Sequence, residues 1–472
     1  MDVPTMTRDA EAVDGSRRSY LKAIGTAGIA AGLAGCSGGD GGSGGGGDTT
    51  GNGDSSGGGD GGTEYAAIGN FPPEGDTVSI GFNGPTSGAL GPDGQDQERG
   101  FDLAVTHLNN GGGLVDYWDR LSGGGIMGHQ VEPTKADTAG SADTAQDNID
   151  RMIQRDNIQF WTGGMSSTVT MAMQNVAQRE KVPFMGGNST SAGISGENCS
   201  RYYFHPTFHA EIIGMAMGEA APSVLGEDQS LFHIYMDYSY GQSNRDAARK
   251  HLTEQGPWED AGGAAIAEGE TDHSSQIQAL EDSGADTLYF SSFGNFAASG
   301  LAQLRDAGLT DDIDVIIPHV SAFTLDPLGA DAEGVLGMEP WNPNADNEPS
   351  QVFVEAYRQE YDETPNQSSM HTYESIMVYA AAVEEAGTFH PPTVVRTLEE
   401  FEWSLAWGDS GFRTCDHQVE RPWYLVQGVG DDRAEELGIR TEIVETTDPL
   451  VYECSSFPAS NCAMGDNPYG DE

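Results

Sequence analysis

Short apolar segments of β type alternate with amphipathic helical segments along most of this chain. The predicted strands form one run before about His209 and a second run after it: Thr77–Phe82, His129–Asp137, Ile158–Thr162, Val182–Met185, then Ser230–Asp237, Ala264–Ala267, Ala285–Phe290 and Asp314–Ile317. Strands that alternate with helices form parallel sheets that helices cover on both faces. The sequence therefore predicts two similar α/β lobes.

Three of the predicted strands end in loops of small polar residues, Gly84–Gly91, Gly163–Thr168 and Gly186–Ser191. Ligands of open parallel sheets bind at the carboxyl ends of the strands. The N-terminus of a helix adds free N–H groups and a partial positive charge. The loops thus predict a site for a carboxylate or another small acceptor group. The alternative is that the serines and threonines only cap helices while the glycines only make tight turns.

The amino-terminal segment has the features of an export signal. Arg17 and Arg18 precede a short Ala/Gly-rich apolar run, and Leu33–Cys36 resembles a lipoprotein cleavage box. This pattern predicts twin-arginine export, removal of residues 1–35 and a lipid on Cys36 that holds the protein at the extracellular face of the cell membrane. A plain hydrophobic anchor is the alternative, although the apolar run is too short to span a bilayer. Residues 36–64, rich in Gly, Ser and Asp, are predicted to be a flexible tether.

The charge of the chain is strongly negative, since 22 Lys and Arg face 74 Asp and Glu, for a net charge of −52. Such a charge argues against nucleic-acid binding. It also creates self-repulsion that concentrated salt screens within a few ångströms. We therefore expect a halophilic protein, and most of the carboxylates are read as a solvated coat.

Four cysteines follow Cys36, namely Cys199, Cys415, Cys454 and Cys462. An even number in an exported chain suggests two disulfides with three possible connectivities, and Cys454 and Cys462 are close enough in sequence to close a small loop. Four buried free thiols are the alternative. The cysteine and histidine spacings predict no metal site.

Catalytic motifs are missing from the sequence. It has no Gly-x-Ser-x-Gly elbow, no phosphate-binding loop, no dinucleotide fingerprint and no His-Glu-x-x-His pair. The sequence favours a binding protein that needs no cofactor over an enzyme.

The loops, their order and their spacing resemble the substrate-binding proteins of ABC importers, of the leucine/isoleucine/valine-binding type. The resemblance extends from about Thr77 to Val429. It is carried by Gly84–Gly88, Gly94, Gly100, Leu108–Gly112, Asp137, Ser166–Ser167, Asn188–Ser191, Asp237–Gly241, Ala285–Asp286, Leu304–Gly308, Tyr373–Glu374 and Asp416–Gln418.

The resemblance implies a type I periplasmic binding protein fold, in which two Rossmann-like lobes with parallel sheets are joined by three hinge crossovers. The crossovers would lie near Phe204–His209, Gly334–Trp341 and Phe412–Arg421. The first lobe would comprise residues 65–208 and 339–412. The second would comprise residues 209–338 and 413–456, and residues 457–472 would form a tail.

The resemblance also implies a site in which a small ligand is enclosed between the lobes. The ligand contacts carried over by position are Ser166, Ser167, Asn188, Thr190, Tyr240, Phe293, His319 and Asp93. Phe293 stands where the family tends to have tyrosine, and His319 falls near the position of an acidic residue that holds the ligand's ammonium. Asp93 could supply that charge from the opposite lobe. The ligand would be a branched-chain amino acid, or instead an amide, urea or a small organic acid.

The implied partners are a membrane permease and its ATPase, with the receptor acting as a monomer. Two other functions stay open. An extracellular sensor would use the same fold to signal, and a secreted hydrolase would use Ser166 or Ser167 as its nucleophile with a base that the sequence does not identify.

Overall fold

The computed structural model describes residues 65–471 apart from residues 268, 311, 450 and 451. The twin-arginine segment, Cys36 and the predicted tether lie outside the described residues. Within the described part, no helix has both the length and the apolar character needed to cross a bilayer.

The secondary structure alternates as predicted, with some shifts of element boundaries. The first elements are β1 (Thr77–Gly84), α1 (Gly91–Asn110), α2 (Gly113–Tyr117), β2 (Gln130–Asp137), α3 (Ala142–Asp156), β3 (Phe160–Gly163), α4 (Ser167–Glu180), β4 (Phe184–Gly186), β5 (Tyr203–Phe204) and α5 (Ala210–Leu225). There follow β6 (Ser230–Met236), α6 (Ser239–Ala248), β7 (Glu259–Ile266), α7 (Ser274–Ser283), β8 (Thr287–Ser291), α8 (Gly294–Asp306), β9 (Asp314–Ile317), α9 (Ala322–Leu325) and β10 (Leu336–Glu339). The last are α10 (Glu348–Tyr361), α11 (Gln367–Ala386), α12 (Pro391–Glu400), β11 (Glu402–Leu405), β12 (Gly408–Phe412), β13 (Val419–Glu420), β14 (Tyr424–Gly428), α13 (Asp431–Leu437) and β15 (Thr441–Thr446).

Two largely parallel sheets define the two lobes. The sheet of the first lobe has the order β2-β1-β3-β4-β5 and is parallel throughout. The sheet of the second lobe has the order β15-β14-β10-β9-β8-β6-β7, in which β14 runs antiparallel to both of its neighbours, β10 and β15, and the other pairs are parallel. The predicted α/β fold class is confirmed.

Local sequence explains the individual elements, as α3 illustrates. The Ser141 hydroxyl accepts a hydrogen bond from the Thr144 N–H at 3.3 Å, and Asn157 ends the helix in the left-handed region with φ 50°. Its buried residues Ala145, Ile149, Met152 and Ile153 recur at helical spacing and cover the sheet.

Helix α11 is the central helix of the first lobe and is buried along almost its whole length. It packs closely on α1, because a Cβ on Gly100 would lie 2.1 Å from the Ser369 carbonyl oxygen. Only glycine permits that approach, which fixes the N-terminus of α11 against α1.

We define the hinge as residues 205–209, 340–347 and 413–423, where the chain passes between the two lobes. A small antiparallel sheet of β11, β12 and β13 lies at the third passage, which contains β13. A parallel bridge between His205 and Gln418 joins two of the passages. The sequence did not predict a fourth passage, in which residues 447–471 return from β15 to the first lobe.

The cysteines form two disulfides, Cys199–Cys462 and Cys415–Cys454. The suggested small loop between Cys454 and Cys462 is therefore wrong. The two residues are close in sequence, but Cys454 lies beside the hinge and Cys462 lies beside the first lobe.

Candidate ligand-binding site

A cavity of about 290 Å³ lies where the carboxyl ends of the two sheets face each other. Both lobes contribute to its wall. The lining residues are Pro85, Ser87, Ala89, Leu90, Ala139, Gly140, Met165, Ser166 and Asn188 from the first lobe, and Met236, Tyr238, Tyr240, Gly269, Phe293, Phe296 and His319 from the second.

Three helices begin at this wall. Helices α4, α6 and α8 each follow a strand directly, and their N-cap residues are Ser166, Tyr238 and Phe293. None of the three caps makes a side-chain hydrogen bond to its own helix. Tyr and Phe are poor caps, so the first N–H groups of these helices are left for a ligand. The three helix dipoles add partial positive charge on both sides of the cavity.

The turn between β3 and α4 explains how the first lobe presents its contacts. Gly163 and Gly164 have φ values of 123° and 83°, which side chains rarely tolerate. A Cβ on the neighbouring Gly187 would lie 2.0 Å from the Gly164 carbonyl oxygen. The sharp turn brings Met165 and Ser166 to the wall immediately after the strand ends.

Aromatic rings form most of the wall of the second lobe. The rings of Phe293 and His319 lie 4.7 Å apart, and those of Tyr238 and Tyr240 lie 5.9 Å apart and stack. The Tyr240 hydroxyl donates to the Ser292 carbonyl oxygen at 3.1 Å, which fixes its ring. Together with Met165 and Leu90, these rings offer an apolar surface to the body of a ligand.

The described side chains that line the cavity include no charged group that could pair with a charged ligand. None of the described residues that line it is Asp, Glu, Lys or Arg. Burial lowers the pKa of His319 to about 3, so that this ring is neutral at ordinary pH. Its Nε2 atom is buried without a partner among the described residues. The groups that could stabilise a negatively charged ligand group here are backbone N–H groups and hydroxyls.

Asn188 reaches the cavity from the loop after β4, and its amide is held from behind. Its Nδ2 donates to the Ser368 hydroxyl at 2.7 Å, and that hydroxyl lies 3.5 Å from Oδ1 of Asp93. The amide oxygen of Asn188 is buried without a partner among the described residues. Held in this way, Asn188 offers an acceptor to the ligand.

Asp93 lies behind this wall instead of lining it. It is buried on α1 close to Asp96, which accepts from the Ser369 N–H at 2.7 Å at the N-terminus of α11. Burial is the main cause that raises the pKa of both carboxyls to about 7, and Asp96 adds to the effect on Asp93. Asp93 is not among the residues that line the cavity, and its Oδ2 is buried without a partner among the described residues.

Ser167 and Thr190 also lie outside the cavity wall. The Ser167 hydroxyl accepts from the Ser191 N–H at 3.2 Å, and Thr190 Oγ1 accepts from Asn244 Nδ2 at 3.4 Å. Both side chains are almost fully buried. Their hydroxyls hold neighbouring loops together, whereas Ser166, Asn188, Tyr240, Phe293 and His319 do line the cavity.

Sequence reasoning did not name four apolar residues of the wall as ligand contacts, namely Leu90, which lies in a loop predicted to form the site, and Met236, Tyr238 and Phe296. Met236 and Tyr238 were detectable, since they flank the carboxyl end of a predicted strand. Phe296 lies within the first turn of α8 and resembles any core residue of a helix. No local pattern distinguishes it.

Comparison with known proteins gives a consistent result. A family model described as "Periplasmic binding protein" matches residues 77–434. The leucine-, isoleucine-, valine-, threonine- and alanine-binding protein of Pseudomonas aeruginosa is 22% identical over 357 residues, which covers 74% of this chain and 88% of that protein.

Solved structures show the same fold. A periplasmic binding protein from Burkholderia mallei superposes with a TM-score of 0.73 at 20% identity, covering 82% of this chain and 99% of its own. A solute-binding protein of an ABC transporter from R. palustris, in complex with benzoate, gives a TM-score of 0.68 at 19% identity and covers 80% of this chain and 98% of its own.

Proposed function

Because the chain belongs to the periplasmic binding protein family, we propose that it is the extracytoplasmic solute receptor of an ABC importer. It captures one small ligand between its two lobes and delivers that ligand to a membrane permease coupled to an ATPase. The supporting observation is the cavity that both lobes line at the carboxyl ends of their sheets. Hinge bending would open and close this cavity, as it does in two-lobed binding proteins.

The wall of the cavity favours a monocarboxylate with an apolar or aromatic body. The uncapped starts of α4, α6 and α8 suit a carboxylate. The rings of Tyr240, Phe293 and their neighbours suit a planar or branched apolar body. The P. aeruginosa protein is named for binding amino acids and the R. palustris structure holds benzoate, so both classes are candidates here.

An ammonium group is the feature that separates these candidates. A buried ammonium needs an anion or several acceptors, and the wall offers only neutral acceptors such as the amide oxygen of Asn188. We therefore rank an acid without an amino group above a branched-chain amino acid or an amide.

Two matched pairs of compounds test the proposal by calorimetry in concentrated salt. Isovalerate differs from valine only by the amino group, and benzoate differs from benzamide by its charge. We expect isovalerate and benzoate to bind. Valine should bind at least tenfold more weakly than isovalerate, and benzamide at least tenfold more weakly than benzoate, a difference of about 1.4 kcal/mol in each pair. Tighter binding of valine would overturn the ligand class but keep the receptor.

Turnover provides the test against the hydrolase. General ester and amide substrates are incubated with the wild-type protein and with Ser166→Ala. Hydrolysis that vanishes in the variant would overturn the receptor function. Export and lipid attachment at Cys36 are part of the same proposal, and mass spectrometry of the membrane-bound protein tests them.

A further inference from the structure

The chain does not end in a free tail after the second lobe. Residues 447–471 leave β15, where the Thr447 N–H donates to the Trp423 carbonyl oxygen at 2.8 Å. They end at the first lobe, where Asp471 forms a two-pronged ion pair with Arg396 at 2.7 and 2.8 Å. This segment, which we call the strap, therefore passes along the hinge from one lobe to the other.

The strap is anchored at the hinge by a buried cluster around Tyr452. The Tyr452 hydroxyl donates to Asp416 at 2.6 Å and lies 2.8 Å from His209 Nε2. The backbone carbonyl oxygen of Tyr452 accepts a hydrogen bond from Arg413 at 2.6 Å. The Arg413 guanidinium also lies 4.0 Å over the Tyr452 ring. The Cys415–Cys454 disulfide adds a covalent bond at the same place.

The strap is anchored a second time on the first lobe. Cys462 is bonded to Cys199. Beyond it, Arg201 donates to the carbonyl oxygens of Met464 at 2.8 Å and Asn467 at 3.3 Å. The Tyr469 hydroxyl donates to Glu399 at 2.6 Å. These contacts fix the end of the strap to the surface around β5 and α12.

The connectivity of the disulfides matters for motion. Cys199 precedes the first passage between the lobes and Cys462 follows the last, so that one covalent ring encloses the whole second lobe. The strap is held at Cys454 and again at Cys462.

We propose that residues 447–471 are a disulfide-anchored strap that limits how far the two lobes open. The proposal rests on the hinge motion of the proposed receptor. A restricted range of opening lowers the conformational free energy that ligand capture must supply, because fewer open states compete with the closed one.

The test is the distance between the lobes in the ligand-free protein, measured by single-molecule energy transfer in concentrated salt. Unnatural amino acids carry the dyes at exposed Asp143 in the first lobe and exposed Glu270 in the second. The fourfold variant Cys199→Ser/Cys415→Ser/Cys454→Ser/Cys462→Ser removes both covalent anchors of the strap. The control Arg305→Gln removes an exposed ion pair of the second lobe far from the strap. Wild-type protein reduced after folding serves as a second way to release the strap.

We expect the released proteins to reach longer distances than wild type and the control to match wild type. Identical distance distributions in the oxidised and reduced wild-type protein would overturn the strap, whether or not the cysteine variant folds. The proposed function is tested separately with the same dyes. Isovalerate or benzoate should shorten the distance between the lobes, because a receptor closes on its ligand. If the strap limits opening but none of the tested compounds shortens the distance, the strap is supported and the proposed ligand class fails.

Discussion

The ligand cavity and the hinge are both buried, yet they treat charge in opposite ways. The cavity wall contains no charged side chain among its described residues and leaves helix N-termini open. In the hinge, Arg413 pairs with Asp416 at 3.1 Å and His417 pairs with Glu399 at 2.8 Å. The described part of the cavity wall thus carries no side-chain charge, whereas the hinge contains charged groups that pair with each other.

The largest expected effect comes from salt, which acts on the whole protein. With a net charge of −52, dilution into low-salt buffer should unfold the body because screening is lost. Circular dichroism follows the unfolding. Hydrogen exchange at intermediate salt should show the hinge amides protected longer than the loops around the cavity. Full stability in dilute buffer would contradict the prediction, and equal protection would remove the contrast between the two regions.

The next effect concerns a buried cation within the hinge. The Arg421 guanidinium lies between the rings of Trp407 and Trp423, at 4.5 and 4.3 Å, and the buried carboxylate of Glu374 accepts from Trp403 Nε1 at 3.1 Å nearby. Burial lowers the pKa of Arg421 and raises that of Glu374, and their mutual attraction opposes both shifts. Arg421→Met should cost about 3–5 kcal/mol in the free energy of unfolding, because it leaves a buried charge uncompensated.

Denaturant unfolding in concentrated salt measures this loss. Adding Glu374→Gln to Arg421→Met should recover much of it, since the double variant buries no charge. Arg179→Gln, which breaks an exposed ion pair with Asp150, is the control and should change stability by less than about 1 kcal/mol. A loss no larger than that of the control would show that the hinge does not depend on its charges.

A smaller effect is expected when the cavity is given the charge it lacks. His319→Asp places a carboxylate on the wall beside Phe293, whereas His319→Asn changes the side chain without adding charge. Isovalerate and benzoate should bind His319→Asp at least tenfold more weakly than His319→Asn, a difference of about 1.4 kcal/mol. The affinity of His319→Asp for valine should rise relative to its affinities for isovalerate and benzoate. Equal affinities for the two variants, measured by calorimetry, would mean that the wall does not select against negative charge.

The last comparison is the pH dependence of stability, to which one carboxyl from each region contributes with opposite sign. Asp96, behind the cavity, has its pKa raised from 3.8 to about 7 by burial, so the stability it contributes is present below pH 3.8 and is lost as the pH rises to about 7. For Glu399, burial raises the pKa, but hydrogen bonds from His417, Tyr469 and Arg201 outweigh it and lower the pKa from 4.5 to about 2. Its stability is present above pH 4.5 and is lost as the pH falls to about 2.

Two variants separate these windows in denaturant titrations. Asp96→Asn should reduce the fall of stability between pH 3.8 and 7, of which Asp93 keeps a share, and should leave the stability change between pH 4.5 and 2 that Glu399 causes as it is in wild type. Glu399→Gln should flatten the acid limb between pH 4.5 and 2 and leave the upper window unchanged. Curves that shift in parallel with wild type would refute the assignment of each window to its carboxyl.

The sequence predicted what depends on local periodicity, and it missed what depends on contacts between distant segments. The strand Asp314–Ile317 agrees with the structure residue for residue, and the loops after the strands do meet at one cavity. The position of Ser167 and Thr190 in the sequence did not show which way their hydroxyls point. Ser166 lines the cavity, whereas the next residue, Ser167, contacts a neighbouring loop, so a shift of one residue changes the partner of the hydroxyl. The disulfide partners were equally hidden, since pairing Cys199 with Cys462 requires the strap to return across the hinge.

The ring closed by Cys199 and Cys462 has a consequence for proteolysis. A protease that cuts any single peptide bond between these two cysteines leaves both pieces in one molecule, because the bridge still joins them. The exposed loops of the second lobe all lie within that interval. A nicked molecule would therefore run as one species on a non-reducing gel, and its fragments would stay side by side.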